Sequence, residues 1–184
     1  MGRFIIDGYG QIELNNVAFR RDGRIEAQCK LDNAFDTDKG PGRGNYAENG
    51  MLLAIDKTNN VVKFPAEEGE VLPIALHYSS EHMYDERTPG LKNFYLPRGT
   101  FLPRMGYLAV GDLFTTNCLG SDEFADIDEV FEYAKENDVW ATTSAEGYIK
   151  LVKVAPATGT LLKIVKCYTM PNGTPGVKLQ VFKA

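Results

Sequence analysis

Short apolar runs divided by Gly, Pro, Asn and Asp turns are the dominant pattern of this chain. Residues 25–31 alternate between apolar and polar side chains, which is the two-residue period of a half-buried strand. Asp22-Gly23 lies just before this run and is typical of a tight hairpin turn. Residues 51–56 and 61–64 form a second pair of runs around a short polar turn. The pattern predicts a mainly β domain with an antiparallel sandwich or barrel-like fold.

One segment, near residues 126–137, has the period of a helix instead. Its apolar side chains recur at intervals of three or four positions: Ile127, Val130, Phe131 and Ala134. Asp126 can cap the first turn, and Glu129 three positions later completes a capping-box-like pair. We expect this one short amphipathic helix to cover the face of a sheet.

The length of 184 residues suits a single β-rich domain, residues 1–184, that needs no metal or disulfide to hold its core. Runs at residues 147–154, 161–169 and 177–182 predict an antiparallel meander. Residues 32–49 lose all periodicity around a Gly- and Pro-rich middle, which predicts a long irregular loop. Such loops are often functional, so we expect this one to contact another molecule.

Charge and cysteine usage narrow the class of protein. The formal net charge is −5 and the pI is about 5.1, which disfavours nonspecific nucleic-acid binding. No apolar run approaches membrane-spanning length, and Phe4–Ile6 is too short a run for a signal peptide. Cys29, Cys118 and Cys167 lack the spacing of a disulfide framework or a zinc site. We therefore expect a protein made in a cytoplasm, with no nucleic-acid or membrane partner.

Few residues have a pattern that indicates chemistry. His77 and His82 are five positions apart, a spacing that neither a helix face nor a strand face brings together. Asp36 and Asp38 resemble the start of a calcium loop, but Ala47 stands where the closing Glu would be. We expect no catalytic residue, no metal and no cofactor. An enzyme whose cleft the sequence does not reveal remains an alternative.

Aromatic residues are concentrated between positions 78 and 107: Tyr78, Tyr84, Phe94, Tyr95, Phe101 and Tyr107. Aromatics of this kind either pack between sheets or form an exposed platform for a glycan or a protein. The second interpretation predicts a carbohydrate- or receptor-binding module.

Three segments carry a resemblance to a known class of proteins: VAFRRDGRIEAQ at 17–28, AENGMLLAID at 47–56 and GYLAVGDLFTTN at 106–117. They are similar to small structural proteins encoded near the major capsid gene in tailed bacteriophages and prophages. The resemblance implies a non-enzymatic capsid decoration (cementing) protein that lies on the outer shell of the virion and bridges capsid subunits. The implied partners are the major capsid protein and copies of the chain itself, as a homo-oligomer on the capsid. The chain is longer than the smallest decoration proteins and carries a helix that they lack.

Two segments are the predicted partner contacts. The Gly-rich loop has the composition of a segment that orders on binding, and the apolar N-terminal run can add to the sheet edge of a neighbour. The alternatives are that the loop stays disordered and that the N-terminal run closes its own sheet. The predicted contact residues are Phe4, Ile5, Ile6, Asp38, Arg43 and Tyr46.

Overall fold

The computed structural model describes residues 2–35, 46–66, 70–79, 91–99 and 101–184. Within these ranges, two β-sheets contain most of the regular structure, and two α-helices and one 3-10 turn, Leu91–Asn93, connect their strands. The mainly β prediction is confirmed, and the arrangement is consistent with a sandwich.

The first sheet has seven strands. In spatial order they are β1 (Ile12–Asn16), β8 (Leu113–Thr116), β13 (Pro175–Lys183), β12 (Leu161–Thr169), β10 (Trp140–Thr143), β11 (Ile149–Val152) and β9 (Leu119–Ser121). All neighbours are antiparallel except β9 and β11, which run parallel. The sheet is therefore mixed, with one parallel pair in the antiparallel arrangement that the sequence predicted.

The second sheet has six strands. In spatial order they are β2 (Ile25–Glu26), β7 (Met105–Gly106), β6 (Ile74–His77), β4 (Leu52–Asp56), β5 (Val61–Lys63) and β3 (Lys30–Leu31). The predicted hairpin of β4 and β5 is present, and Asn60 in its turn has a positive φ of 56°. The parallel pair here is β3 with β5.

A second α-helix, α1 (Ala18–Asp22), stands where the sequence predicted a strand leading into a hairpin turn. Gly23 does adopt the positive φ that the Asp-Gly signal indicates, 66°, but it ends the helix rather than turning a hairpin. The Asp112 carboxylate accepts a hydrogen bond from the Ala18 N–H at 2.8 Å, and Phe19 is completely buried. A long-range contact thus stabilises a helix too short to have a period in the sequence.

The predicted helix is α2 (Ile127–Tyr133), which is shorter than the predicted 126–137. Asp126 caps it by accepting from the Glu129 N–H at 2.9 Å, as the sequence predicted. After Tyr133 the chain continues in tighter turns, with the Glu136 N–H bonded to the Tyr133 carbonyl. Val130 is fully buried and anchors this helix in the core of the seven-stranded sheet.

The C-terminal meander was predicted correctly only in part. Strands β12 and β13 pair along their whole length, with a turn at Gly173. Strand β11 pairs with β10 and β9 instead of β12, because β10 lies between them. The segment that contains α2 carries the chain from β9 over β11 to β10, a connection that local patterning does not reveal.

The core has two apolar layers on opposite faces of the six-stranded sheet. Leu52 belongs to the layer shared with the inner face of the seven-stranded sheet, and Leu53 belongs to the other layer. Successive side chains of a strand point to opposite faces, so both faces of β4 are covered, and all five of its residues are buried. In β13, by contrast, Leu179 is buried while Lys178 and Gln180 on the outer face are partly exposed.

Candidate functional site

The N-terminal segment is fixed against the edge of its own domain. Arg3 forms an antiparallel bridge with Gly120 of β9, and the Phe4 N–H donates to the Leu119 carbonyl at 2.9 Å. The Phe4 side chain is 5% exposed and packs in the first core layer. For Phe4 the structure therefore matches the alternative in which the segment closes its own sheet.

The Ile5 side chain points away from the core, opposite to the Phe4 side chain. Its side chain is 95% exposed, although Phe4 beside it is anchored in the core. Fully burying an isoleucine side chain is worth about 1.5–3 kcal/mol, so its exposure leaves that stabilisation unused within the domain. Because Phe4 beside it is hydrogen-bonded to the backbone of β9, this segment places the Ile5 side chain on the outside of the domain.

A buried ion pair ties this segment to the end of the 32–49 loop. Glu48 is 1% exposed, and both oxygens of its carboxylate accept from the Arg3 guanidinium, one of them at 2.6 Å. The Gly10 N–H donates to the same carboxylate. Bidentate contacts of this kind fix orientation as well as distance. The N-terminal segment and the 32–49 loop, both predicted to contact a partner, are thus joined by the ion pair of Arg3 and Glu48.

Tyr46 lies inside this junction rather than on its surface. It is 1% exposed, with its ring centroid 6.3 Å from that of Tyr9 and 4.6 Å from that of Tyr95. The aromatic packing fixes the point at which the chain returns from the loop. Asp38 and Arg43, the other predicted contacts in the loop, lie outside the described residues, and so does His82.

His77 forms part of the support beneath the junction. Its Nδ1 is 2.8 Å from the Glu48 carbonyl oxygen, and its Nε2 is 2.6 Å from the Ser79 hydroxyl oxygen. A carbonyl oxygen only accepts, so Nδ1 carries the proton and Nε2 accepts from Ser79. Complete burial lowers the pKa of His77 to about 4. This histidine is therefore neutral near pH 7, and both ring nitrogens are used in holding the loop.

An open groove of about 910 Å³ is lined by residues of both sheets. Threonine, tyrosine and apolar side chains line it, among them Thr143, Thr160, Tyr107, Leu72 and Ile74. The Thr143 Oγ1 atom is buried and has no hydrogen-bond partner among the described residues. The groove thus offers polar and apolar contacts to a ligand with hydroxyl groups.

The aromatic-rich segment from 78 to 107 is only partly a surface. Tyr78 is buried, Phe94, Tyr95 and Tyr107 are half-buried, and Phe101 is 74% exposed. Tyr84 lies outside the described residues. Among the described residues of this segment, Phe101 is exposed and Tyr107 lines the groove.

No group of three or more metal-ligating side chains is close enough to hold an ion within the part of the chain that the structure describes. Within the same ranges, no helix is long and apolar enough to cross a membrane. No protein-family model matches the chain, and neither a curated protein nor a solved structure matches it significantly.

Proposed function

We propose that this chain is a non-enzymatic structural protein of a bacteriophage virion, which decorates and stabilises the outside of the capsid. The proposed partners are the major capsid protein and further copies of the chain, after synthesis in the host cytoplasm. The resemblance of three segments to phage structural proteins suggests this role.

The observation that carries the proposal is the presentation of Ile5. A protein that docks on a preformed lattice gains most from rigid apolar side chains, because ordering them on binding costs little entropy. Ile5 is 95% exposed beside the core residue Phe4. The buried pair of Arg3 and Glu48 holds the same segment two positions before Ile5. The junction therefore supplies an apolar contact whose direction is set before binding.

The polar groups around this junction serve structure rather than chemistry. The Glu48 carboxylate, the Arg3 guanidinium and both His77 nitrogens bond to one another or to nearby groups of the chain. A catalytic acid or base needs an atom within reach of a substrate. This arrangement supports a docking role for the N-terminal edge.

The groove favours a second candidate function, a carbohydrate- or receptor-binding module of a phage tail or fibre. Threonine side chains and Tyr107 line it, and Thr158 among them is exposed. This candidate predicts retention on immobilised glycans and loss of retention when Thr158 is replaced by Val. The capsid proposal predicts neither result.

The test of the capsid proposal measures binding of the purified protein to capsids that lack it. Ile5→Asp should keep the melting temperature and weaken binding roughly 10-fold or more, since the side-chain burial lost is worth about 1.5–3 kcal/mol. Val71→Asp is the matched control, because Val71 is 91% exposed and lies elsewhere on the surface. Equal binding by wild type and Ile5→Asp would remove this edge from the interface.

A further inference from the structure

Charge is divided unevenly between two parts of the chain. Residues 147–184 contain six lysines and no acidic residue, and residues 122–138 contain eight acidic residues and one lysine. All eight of these acidic residues are exposed. The net charge of −5 therefore hides one strongly basic and one strongly acidic part of the chain.

Two lysines on adjacent strands lie at the centre of the basic part of the seven-stranded sheet. Lys166 of β12 and Lys178 of β13 are directly opposed in the register. Both ammonium groups lie over the Tyr168 ring, at 5.7 and 6.0 Å from its centroid. Like charges directly opposed in an antiparallel pair destabilise a sheet. Among the described residues, no ion pair includes either lysine.

An aromatic patch continues the same outer face. Lys163 is opposed to Gln180 on one side and to Trp140 on the other, and its ammonium lies 5.2 Å from the Trp140 ring centroid. Phe182 is 44% exposed and meets the Trp140 ring edge-on at 5.7 Å. Aromatic anchors surrounded by charged side chains are the composition of an interface. We call this surface, formed by Trp140, Lys163, Lys166, Tyr168, Lys178 and Phe182, the lysine–aromatic face.

Ion pairs among the described residues neutralise the acidic segment only in part. Asp122 pairs with Lys150 at 2.5 Å, and Asp138 pairs with Lys163 at 2.8 Å. In its middle, Glu132 pairs with Lys135 at 2.7 Å. No ion pair among the described residues includes Asp128 or Glu136, so the centre of the segment keeps an excess of negative charge.

We infer that the lysine–aromatic face binds the acidic segment 122–138 of a second copy of this chain. One chain carries both complementary surfaces. Among the described residues, no ion pair includes Lys166 or Lys178 on the first surface, although the Glu13 carboxylate accepts from the Tyr168 hydroxyl between them, and none includes Asp128 or Glu136 on the second. An anionic occupant would relieve the repulsion between Lys166 and Lys178 that the sheet alone leaves in place. The two surfaces differ, so the contact is head-to-tail and can extend into a ring or an array.

This inference rests on the homo-oligomer part of the proposed function and names the surfaces that form the oligomer. Contacts of this kind are weak singly and add up when a lattice holds the copies side by side. Since the test uses the isolated protein, its failure and a failure of capsid binding are separate results.

The experiment is sedimentation analysis of the purified protein across a concentration series at low and at high salt. At an ionic strength of about 0.02 M the wild type should associate, and at about 0.5 M, where charges are screened over a few ångström, it should become monomeric. Lys166→Glu/Lys178→Glu and Asp128→Lys/Glu136→Lys should each be monomeric at low salt. Arg24→Glu/Lys30→Glu, which changes the net charge equally at exposed sites elsewhere, should associate like the wild type.

Mixing the two charge-reversed variants tests the identity of the occupant. The first variant has an acidic face and the second has a basic segment, so an equimolar mixture should recover association at low salt. A wild type that stays monomeric, a charge-reversed variant that still associates, or a mixture that stays monomeric would each overturn the inference. If the charge-reversed lysine variant does not fold, Lys166→Gln/Lys178→Gln replaces it in the experiment. This variant removes the two positive charges without adding negative ones and should also be monomeric at low salt.

Discussion

Replacing Arg3 by Met is the sharpest perturbation of the junction between the N-terminal segment and the loop. It leaves the Glu48 carboxylate, which is 1% exposed, with the Gly10 N–H as its remaining partner at that site. Breaking a buried ion pair by removing one partner costs about 3–5 kcal/mol. We expect Arg3→Met to lower the free energy of unfolding by an amount in this range.

Replacing the other partner of the pair, Glu48, should lower the free energy of unfolding by less. Glu48→Gln keeps the shape of the side chain and leaves the Arg3 guanidinium, whose side chain is 15% exposed, able to reach water. We expect a loss of about 2 kcal/mol, toward the level of a lost hydrogen bond to a charged group. The double variant Arg3→Met/Glu48→Gln removes both charges and should be more stable than the sum of the single losses predicts.

Urea unfolding of the four proteins, followed by circular dichroism, measures these terms as a double-mutant cycle. The reasoning predicts a coupling energy of about 1–3 kcal/mol, with Arg3→Met the least stable single variant. Additive losses, or a loss below about 0.5 kcal/mol for Arg3→Met, would show that the pair does not hold the junction.

Two further predictions concern stability. The pKa of His77 is about 4 in the folded protein against 6.5 for the free side chain. The stability that depends on neutral His77 is therefore fully present above pH 6.5 and is lost as the pH falls toward 4. The free energy of unfolding should fall by about 3 kcal/mol over this range in the wild type, and this fall should be absent in His77→Gln. The same dependence of unfolding free energy on pH in both proteins would contradict the prediction. Lys178→Gln removes the opposed pair and should raise the free energy of unfolding by about 0.5 kcal/mol. Lys163→Gln loses the ion pair with Asp138 and should not raise the free energy of unfolding. Equal effects of the two changes would argue against repulsion between Lys166 and Lys178.

The sequence predicted those features of the fold that depend on neighbouring residues. The apolar runs at residues 161–169 and 177–182 were sufficient for that hairpin, and Asp126 and Glu129 located the start of α2. Helix α1 was missed because its five residues complete little more than one turn. Asp22-Gly23 indicates a positive φ but does not say whether a helix or a strand ends there.

The candidate sites depend on contacts that no local pattern contains. Arg3 and Glu48 are separated by 45 positions, and neither has a sequence signal that names the other. The opposition of Lys166 and Lys178 depends on a register shift after Ile164, which alternation alone does not place. The charge division between residues 122–138 and 147–184, in contrast, is visible in the sequence and could have been found there.

Imaging of the intact virion at a resolution that traces the chain tests the central claim most directly. The account predicts that copies of this fold lie on the outer capsid surface, in a number set by the capsid symmetry, with Ile5 against a capsid subunit. A virion that carries the chain at its tail or fibre, or that lacks it altogether, would contradict the account.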